Sequence, residues 1–276
     1  MAIKDILTIT DLNGDQTASQ VAVEFARQAG AHATGLALAF EPIVPGFLAA
    51  PMPTDYLQVA KTQAIDAAKA SIDKFASYAN MAGISSETRI EEIVTGGSLE
   101  SIMAHCRLSD MVVIGQENPE APEPMREMLI EGLLFESGVP TLVVPFISKG
   151  NFQAKKVTVA WDGSATAARA VHAALPILEM AEQVTIVIVN KGQPTEGEPG
   201  TDIATYLARH NLEINVDVIN NPPIGVSDSL LNYVSENAVD LLVMGGYGHS
   251  RMREYLIGGA TRDILHSMTI PVLMAH

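Results

Sequence analysis

The feature that most constrains the fold is an internal duplication of the sequence. Three short segments of the first half reappear in the second half, in the same order and at similar spacing. They are Ile6–Asp11 and Val157–Asp162, Ser109–Gly115 and Val239–Gly245, and Gly138–Val144 and Thr269–Met274. The repeat is too long for a solenoid unit, so it predicts two duplicated domains. The polar stretch Ser148–Asn151 marks the join, and we predict domains at 1–148 and 152–276.

Each half alternates short β-branched runs with Ala-rich helical patterns. Such alternation predicts right-handed crossovers and a mostly parallel sheet. We therefore expect an α/β protein with two tandem open parallel five-stranded sheets and helices on both faces. The run Thr88–Val94 is more polar than the other strands and is expected nearer a sheet edge. Cys106 lies on an apolar helical stripe, which indicates core filling rather than redox chemistry.

The charge balance narrows the classes of partner. Lys plus Arg number 17 and Asp plus Glu number 32, which gives a net charge of −15. This balance argues against binding to nucleic acid or to an anionic membrane surface. A single cysteine allows no internal disulfide, and no apolar run approaches the length of a membrane span. We expect a soluble, cytoplasmic protein.

The segment 245–261 carries the strongest functional signal. It leaves a buried strand, has glycines on both sides of a basic stretch with His249, Arg251 and Arg253, and enters a helix near Ala260. Glycine lets a ligand approach the bare backbone, and a helix start offers unpaired N–H groups that suit phosphate. The alternative is a tight turn with ordinary helix capping. The pattern favours phosphate binding.

Three residues have competing interpretations. Asp162 follows a strand and precedes a helix, so it would contact a ribose hydroxyl or a metal, or act as a helix N-cap. Asp11 has the same alternatives, with capping preferred. His249 would contact phosphate or serve as a general base, although a solvated loop histidine is the simpler interpretation. In open parallel sheets ligands bind at the carboxyl ends of strands, where Asp162 and Gly245 would meet if their strands are neighbours.

The equivalent segment of the first half lacks these features. After Gly115 the chain continues through residues 116–124 with three prolines and three glutamates. Prolines remove N–H donors and glutamates would repel phosphate. We predict that the first half does not bind nucleotide in the manner of the second.

The pattern Gly245-x-x-Gly248, nine residues, then Gly258 resembles the ATP-binding motif of the universal stress protein family. The resemblance covers essentially the whole chain as a tandem pair of such domains. It implies a Rossmann-like sheet of order 3-2-1-4-5 in each half, with the nucleotide at the switch point. Gly259 departs from the family, which usually has Ser or Thr there, and Thr261 would supply a hydroxyl from the next turn.

The resemblance also implies the ligand and its contacts. The ligand would be ATP, ADP or AMP, with Mg²⁺ held through Asp162. The binding residues would be Ala160, Asp162, Val189, Met244, Gly245, Gly248, His249, Arg251, Gly258, Gly259, Ala260 and Thr261. The last strands, Leu142–Val144 and Val272–Met274, would pair internally into a pseudo-dimer, which would leave a homodimer possible.

Three functions stay open on the sequence. The first is a stress-response protein that binds an adenine nucleotide in its carboxyl-terminal domain, as a sensor or stabiliser with little turnover. The second is a slow Mg-dependent ATPase. The third is a nucleotide-independent interaction protein with a vestigial pocket, which would dock partners on loop 41–55 and on the acidic segment 117–136.

Overall fold

The computed structural model describes residues 2–41, 54–192, 198–248 and 259–276. The chain forms two compact units. The amino-terminal unit holds residues 3–139 and 148–152, and the carboxyl-terminal unit holds Ala2 with residues 140–147 and 153–276. The domain boundaries inferred from the sequence repeat, at 148 and 152, stay predictions.

In the described part of the amino-terminal unit, four strands alternate with four helices. In chain order they are β1 (Asp5–Ile9), α1 (Thr17–Ala29), β2 (His32–Glu41), α2 (Thr54–Ala82), β3 (Ser86–Val94), α3 (Glu100–Cys106), β4 (Met111–Gly115) and α4 (Arg126–Glu136). The strands are parallel and lie in the order β3-β2-β1-β4. The edge position of β3 confirms the expectation drawn from its polar sequence.

Helix α4 was not predicted. The segment 117–136 stands out by its acidic residues, which favour an exposed strip, but the apolar residues between them form a buried face. That face comprises Leu129, Ile130, Leu133 and Leu134, together with Gly132 and Arg126. Part of the expected docking strip is therefore core.

The carboxyl-terminal unit contains six strands and four helices within its described residues. They are β5 (Thr141–Val144), β6 (Lys156–Ala160), α5 (Ala165–Leu178), β7 (Gln183–Asn190), α6 (Thr201–Ala208), β8 (Ile214–Asn220), α7 (Val226–Glu236), β9 (Leu241–Gly245), α8 (Ala260–Ser267) and β10 (Val272–Ala275). Their order is β5-β10-β9-β6-β7-β8.

Strand order in this unit follows the predicted scheme for the second half. Strands β6 to β10 pair with one another in parallel, in the spatial order β8-β7-β6-β9-β10. Numbered one to five along the second half of the chain, this order is 3-2-1-4-5. The last strand of the first half, β5, pairs antiparallel with β10, the last strand of the second half, and these are the two strands expected to pair with each other. In the register of that pair, Val143 faces Val272 and Leu142 faces Leu273. The fold is thus α/β with an open, mostly parallel sheet.

A carboxylate before the fourth strand of each half fixes the start of the first strand. Asp110 Oδ2 accepts the backbone N–H groups of Lys4 (2.6 Å) and Asp5 (3.0 Å). Asp240 Oδ2 accepts those of Lys155 (3.1 Å) and Lys156 (2.9 Å). The duplication therefore preserves a specific side chain to backbone contact as well as a strand pattern.

The polar join between the halves is packed onto the amino-terminal unit. Phe152 is 2% exposed, and its ring stacks on Phe25 of α1 with the centroids 4.4 Å apart. The backbone carbonyl of Phe152 accepts a hydrogen bond from Gln28 Nε2 at 3.0 Å. An aromatic residue in a linker-like stretch thus contributes to a core.

The apolar interior accounts for the one cysteine. Cys106 is fully buried, and burial raises the pKa of its thiol to about 12. The expected core role is confirmed, because the side chain lies on the buried face of α3 with Ile102 and Met103. Among the helices that the structure describes, none combines the length and apolar character needed to cross a bilayer.

Candidate functional site

The two loops singled out in the second half lie at the same edge of the sheet. Strands β6 and β9 are parallel neighbours, with Val157 opposite Leu241 and Val159 opposite Val243. Their carboxyl ends are therefore side by side, which is the condition that the sequence left open. Asp162 follows β6 and Gly248 follows β9 at this edge.

Glycine at position 245 is required by close packing. A Cβ atom added to Gly245 would lie 2.6 Å from the backbone nitrogen of Ala167 and 2.6 Å from Thr166 Oγ1. A Cβ on Gly248 would lie 3.4 Å from Thr166 Oγ1, which is an ordinary contact distance. The loop after β9 thus runs against the amino end of α5, and its first glycine permits that approach.

The hydrogen bonds at the amino end of α5 show whether Asp162 is the N-cap of that helix. The N-cap is Ser164, whose Oγ accepts the N–H of Ala167 at 3.1 Å. Asp162 Oδ1 accepts the N–H of Ser164 at 2.9 Å, so Asp162 stabilises the turn before the helix but is not the cap itself. Asp162 is exposed and follows the carboxyl end of β6.

Helix α8 begins against the same loop. Thr261, in its first turn, is 4% exposed, and its Oγ1 accepts the N–H of Tyr247 at 2.9 Å. The N-cap position is Gly259, which provides no side-chain hydrogen bond to the helix. Within the described residues no side chain caps the first turn of α8, and the N–H groups of Arg262 and Asp263 donate to the Gly259 carbonyl. An uncapped helix start is the arrangement that anion sites use.

The loop is also held from its other side. Gly246 donates its N–H to the carbonyl of Ala275 at 2.9 Å, and the Gly246 carbonyl lies 3.0 Å from Nδ1 of His276. Tyr247 is 8% exposed and has a φ of 50°. These contacts fix the start of the glycine loop by hydrogen bonds to the last strand.

The remaining predicted residues lie in different environments. Ala160 and Val189 are half-buried at the ends of β6 and β7, and Gly259 and Ala260 are half-buried at the start of α8. Met244 is 6% exposed, so only its backbone could face a ligand. His249, Arg251 and Gly258 lie outside the described residues.

Sequence reasoning missed several residues that build this edge. They are Ser164 and Thr166 at the amino end of α5, and Tyr247, Ala275 and His276 around the loop. Ser164 was recognisable from the run Asp162-Gly163-Ser164 before a helix. The contacts of the other four depend on strand order, which the pattern does not provide.

No group of three or more His, Cys, Asp or Glu side chains in the described ranges is arranged to hold a metal ion. A role for Asp162 in holding Mg²⁺ with a nucleotide stays a prediction.

The equivalent edge of the amino-terminal unit is occupied by ionic side chains. Arg126 Nη2 donates to Asp11 Oδ1 at 2.8 Å and also to Glu123 Oε2. Burial, opposed by the charge of Arg126, raises the pKa of Asp11 to about 6. The residue at the N-cap position of α1 is Gln16, which makes no side-chain cap. The Asp11 carboxylate accepts a backbone hydrogen bond from Ala18 in the first turn of α1, as the capping interpretation expects, and it also pairs with the buried guanidinium of Arg126.

The carboxyl-terminal residues 225–276 match the model of the Universal stress protein family. A curated relative, the universal stress protein Slr1230 of Synechocystis sp., is 28% identical over 176 residues. That alignment covers 59% of this chain and 57% of the relative, so the chain matches little more than half of that protein's length.

Solved structures are similar to the whole chain in fold. A universal stress protein from Archaeoglobus fulgidus has a TM-score of 0.70 at 16% identity, with 98% of this chain and 95% of that chain covered. A putative universal stress protein from Pseudomonas aeruginosa has a TM-score of 0.59 at 16% identity, with coverages of 99% and 93%. Identities this low show the fold alone.

A shorter universal stress protein, solved in complex with cAMP, is similar to 45% of this chain at 23% identity, with a TM-score of 0.34 and 99% of its own length covered. Its nucleotide is a property of that protein. The matches that extend over the full chain show that the same fold covers both halves.

Proposed function

We propose that this chain, a relative of the universal stress proteins, binds ATP or another adenine nucleotide in its carboxyl-terminal half. It would act in the stress response as a sensor or stabiliser, with little turnover, in the cytoplasm. The observation that carries the proposal is the first turn of α8. Its N–H groups have no side-chain cap at Gly259, and Thr261 holds that turn against the glycine loop after β9.

The surrounding residues fit such a ligand. Two helix amino ends, those of α5 and α8, lie beside one loop, and both contribute positive dipole ends where phosphates would bind. Gly248 is exposed and leaves its backbone open to a ligand. Asp162 offers an exposed carboxylate at the neighbouring strand end, which suits a ribose hydroxyl.

Calorimetry with ATP on the full chain tests the proposal. We expect one site per chain, and either two sites or none would contradict it. The Asp162→Asn variant should bind more weakly, by about tenfold, because one hydrogen bond from a ribose hydroxyl to a charged acceptor is weakened. Glu182→Gln is the matched control, since it removes a carboxylate from the amino edge of the same unit, where Glu182 forms an exposed ion pair with Lys155.

A second variant tests the backbone approach. Gly248→Ala adds a methyl group with an ordinary 3.4 Å contact, so the free energy of unfolding should be almost unchanged. If a phosphate approaches the bare backbone at this position, the added methyl group should weaken ATP binding. Unchanged affinity in Gly248→Ala would mean that the nucleotide does not pass over this residue.

Hydrolysis by a slow Mg-dependent ATPase is the second candidate, favoured only by the exposed Asp162. Phosphate release at saturating Mg-ATP, compared between the parent chain and a folded Asp162→Ala variant, separates the two functions. A measurable rate that depends on Asp162 would favour hydrolysis. The interaction-protein alternative would gain support from a stable partner together with failure to bind any nucleotide.

The resemblance also predicts an intramolecular pseudo-dimer through the last strands, and the antiparallel pairing of β5 with β10 supports it. Light scattering should then give the mass of one chain, 29.4 kDa. A mass of two chains would indicate that the pseudo-dimer pairs again.

A further inference from the structure

The loop after β1 in the amino-terminal unit already has an anion bound to it, and the chain itself supplies that anion. Glu123, which precedes α4, turns inward, and its Oε1 accepts the backbone N–H groups of Leu12 (2.7 Å) and Asn13 (3.2 Å). Both amides follow Asp11 at the carboxyl end of β1. Two adjacent amides that share one carboxylate oxygen form the kind of concave site that binds anions.

The guanidinium of Arg126 completes this arrangement. Arg126 is 4% exposed, and its Nη2 donates to both Glu123 Oε2 and Asp11 Oδ1. Its other terminal nitrogen, Nη1, is buried and has no hydrogen-bond partner among the residues that the structure describes. A buried guanidinium nitrogen that lacks an acceptor among the described residues has capacity for a further acceptor, which is a costly arrangement for a purely structural ion pair.

The same position in the second half is different. Asp162 corresponds to Asp11 in the repeat, but it is exposed and accepts only a local N–H from Ser164 among the bonds seen around it. Each half therefore has an equivalent loop after its first strand. In the first half, the Glu123 side chain is bound to the amides of that loop. The glutamates after Gly115 do more than repel phosphate, because one of them takes an anion's place.

We propose that the amino-terminal unit retains an anion-binding loop and that Glu123 is its built-in ligand. The site would accept a small oxyanion, carboxylate or phosphate, once the Glu123 carboxylate is removed. This inference concerns the unit that the proposed nucleotide function does not use, so the two can fail independently.

Hydrogen exchange on the full chain tests the contact. In Glu123→Ala, the amides of Leu12 and Asn13 should exchange at least about tenfold faster, because they lose a charged acceptor. Sodium acetate, which replaces the deleted carboxylate, should restore their protection and raise the melting temperature of this variant more than that of the parent chain. Inorganic phosphate is the second probe, and protection restored by it would extend the site to phosphate.

Glu127→Ala is the matched control, since Glu127 is an exposed carboxylate in the first turn of α4. It should leave both amides protected and show no added response to acetate. Unchanged exchange in Glu123→Ala, or equal acetate effects on the variant and the parent chain, would overturn the proposal.

A variant that keeps the side-chain volume covers the case in which Glu123→Ala does not fold. Glu123→Gln retains one acceptor oxygen, so it should preserve most of the protection at Leu12 and Asn13 and leave no space for acetate. Loss of protection in a folded Glu123→Gln variant, without any response to acetate or phosphate, would contradict the proposal.

Discussion

At the scale of single residues, Asp11 and Asp162 show how one position of a repeat acquires two chemistries. Both follow the first strand of their half. Asp162 is exposed and supports a turn, whereas Asp11 is only 17% exposed and pairs with Arg126. Loss of water on burial raises the pKa of Asp11, the charge of Arg126 opposes this, and the nearby Glu123 carboxylate raises the pKa further. The environment, rather than the residue type, determines its ionisation.

A pH dependence of stability follows from this environment. The pKa of Asp11 is about 6 in the folded chain and 3.8 ordinarily, so the folded state retains a proton that the unfolded state has released between about pH 4 and pH 6. Asp11 therefore stabilises the fold fully below that window, and the contribution is lost as pH rises through it. Within this window, the contribution of Asp11 to the free energy of unfolding falls by at most about 1.4 kcal/mol per pH unit.

Urea denaturation at several pH values, compared between the parent chain and Asp11→Asn, measures this contribution. Over pH 4–6 the stability of the variant should rise more, or fall less, than that of the parent chain. Asp162→Asn controls for loss of one carboxylate at the equivalent exposed position. Parallel curves for Asp11→Asn and the parent chain would show that Asp11 is ionised in the folded state throughout.

At the scale of helices and strands, the spacing of apolar residues was the main basis for predicting the elements. Strand and helix positions follow from apolar spacing, and the polar character of β3 predicted its edge position. Strand order was not readable from the pattern, because parallel strands buried on both faces are all continuous apolar runs. Helix α4 was missed because its acidic residues and the prolines before it dominate the segment, although Leu129 and Leu133 have helical spacing.

The site was predictable to a similar extent. The glycine loop and Asp162 were recognisable because backbone approach and strand-end carboxylates leave a local signal. The inward turn of Glu123 was not, since a glutamate in an acidic stretch has no local feature that distinguishes a buried side chain from a solvated one. Long-range contacts such as that of Tyr247 with Thr261 need the fold first.

The carboxylates before the fourth strands give a prediction at this scale. Asp240→Ala removes the carboxylate that accepts the backbone N–H groups of Lys155 and Lys156 at the start of β6. The free energy of unfolding should therefore fall by about 1–2 kcal/mol. Asp240→Asn keeps an acceptor oxygen and should lose less. Denaturant unfolding measures both.

Asp110→Ala repeats the experiment in the other half, because Asp110 makes the same pair of contacts there. Equal stability of Asp240→Ala and the parent chain would mean that water replaces the carboxylate at no cost.

At the scale of the whole molecule, the chain alternates between its two compact units. Residues 140–147 belong to the carboxyl-terminal unit, residues 148–152 return to the amino-terminal unit, and the rest of the chain completes the carboxyl-terminal unit. The sequence repeat alone predicts a single crossing at the join. Two contacts account for the difference, the pairing of β5 with β10 and the stacking of Phe152 on Phe25.

Removal of the buried Phe152 ring should therefore lower the free energy of unfolding. Phe152→Ala deletes a ring that is 2% exposed, and large-to-small changes of this kind cost about 3–5 kcal/mol. Ile147→Ala, at a side chain that is 55% exposed, is the control and should change stability little. Thermal unfolding followed by circular dichroism should show a clear fall in melting temperature for Phe152→Ala alone. Equal melting temperatures would show that the stacked ring is dispensable.

The strand exchange at residues 140–147 has a consequence for any attempt to divide the protein. A fragment that begins at residue 152 would lack β5, so β10 would lose its antiparallel neighbour. The unpaired N–H and C=O groups along that edge of β10 would then be free to pair with another molecule. The last strand of the first half is thus a structural part of the carboxyl-terminal unit, so a cut at the sequence join would divide that unit rather than separate the two.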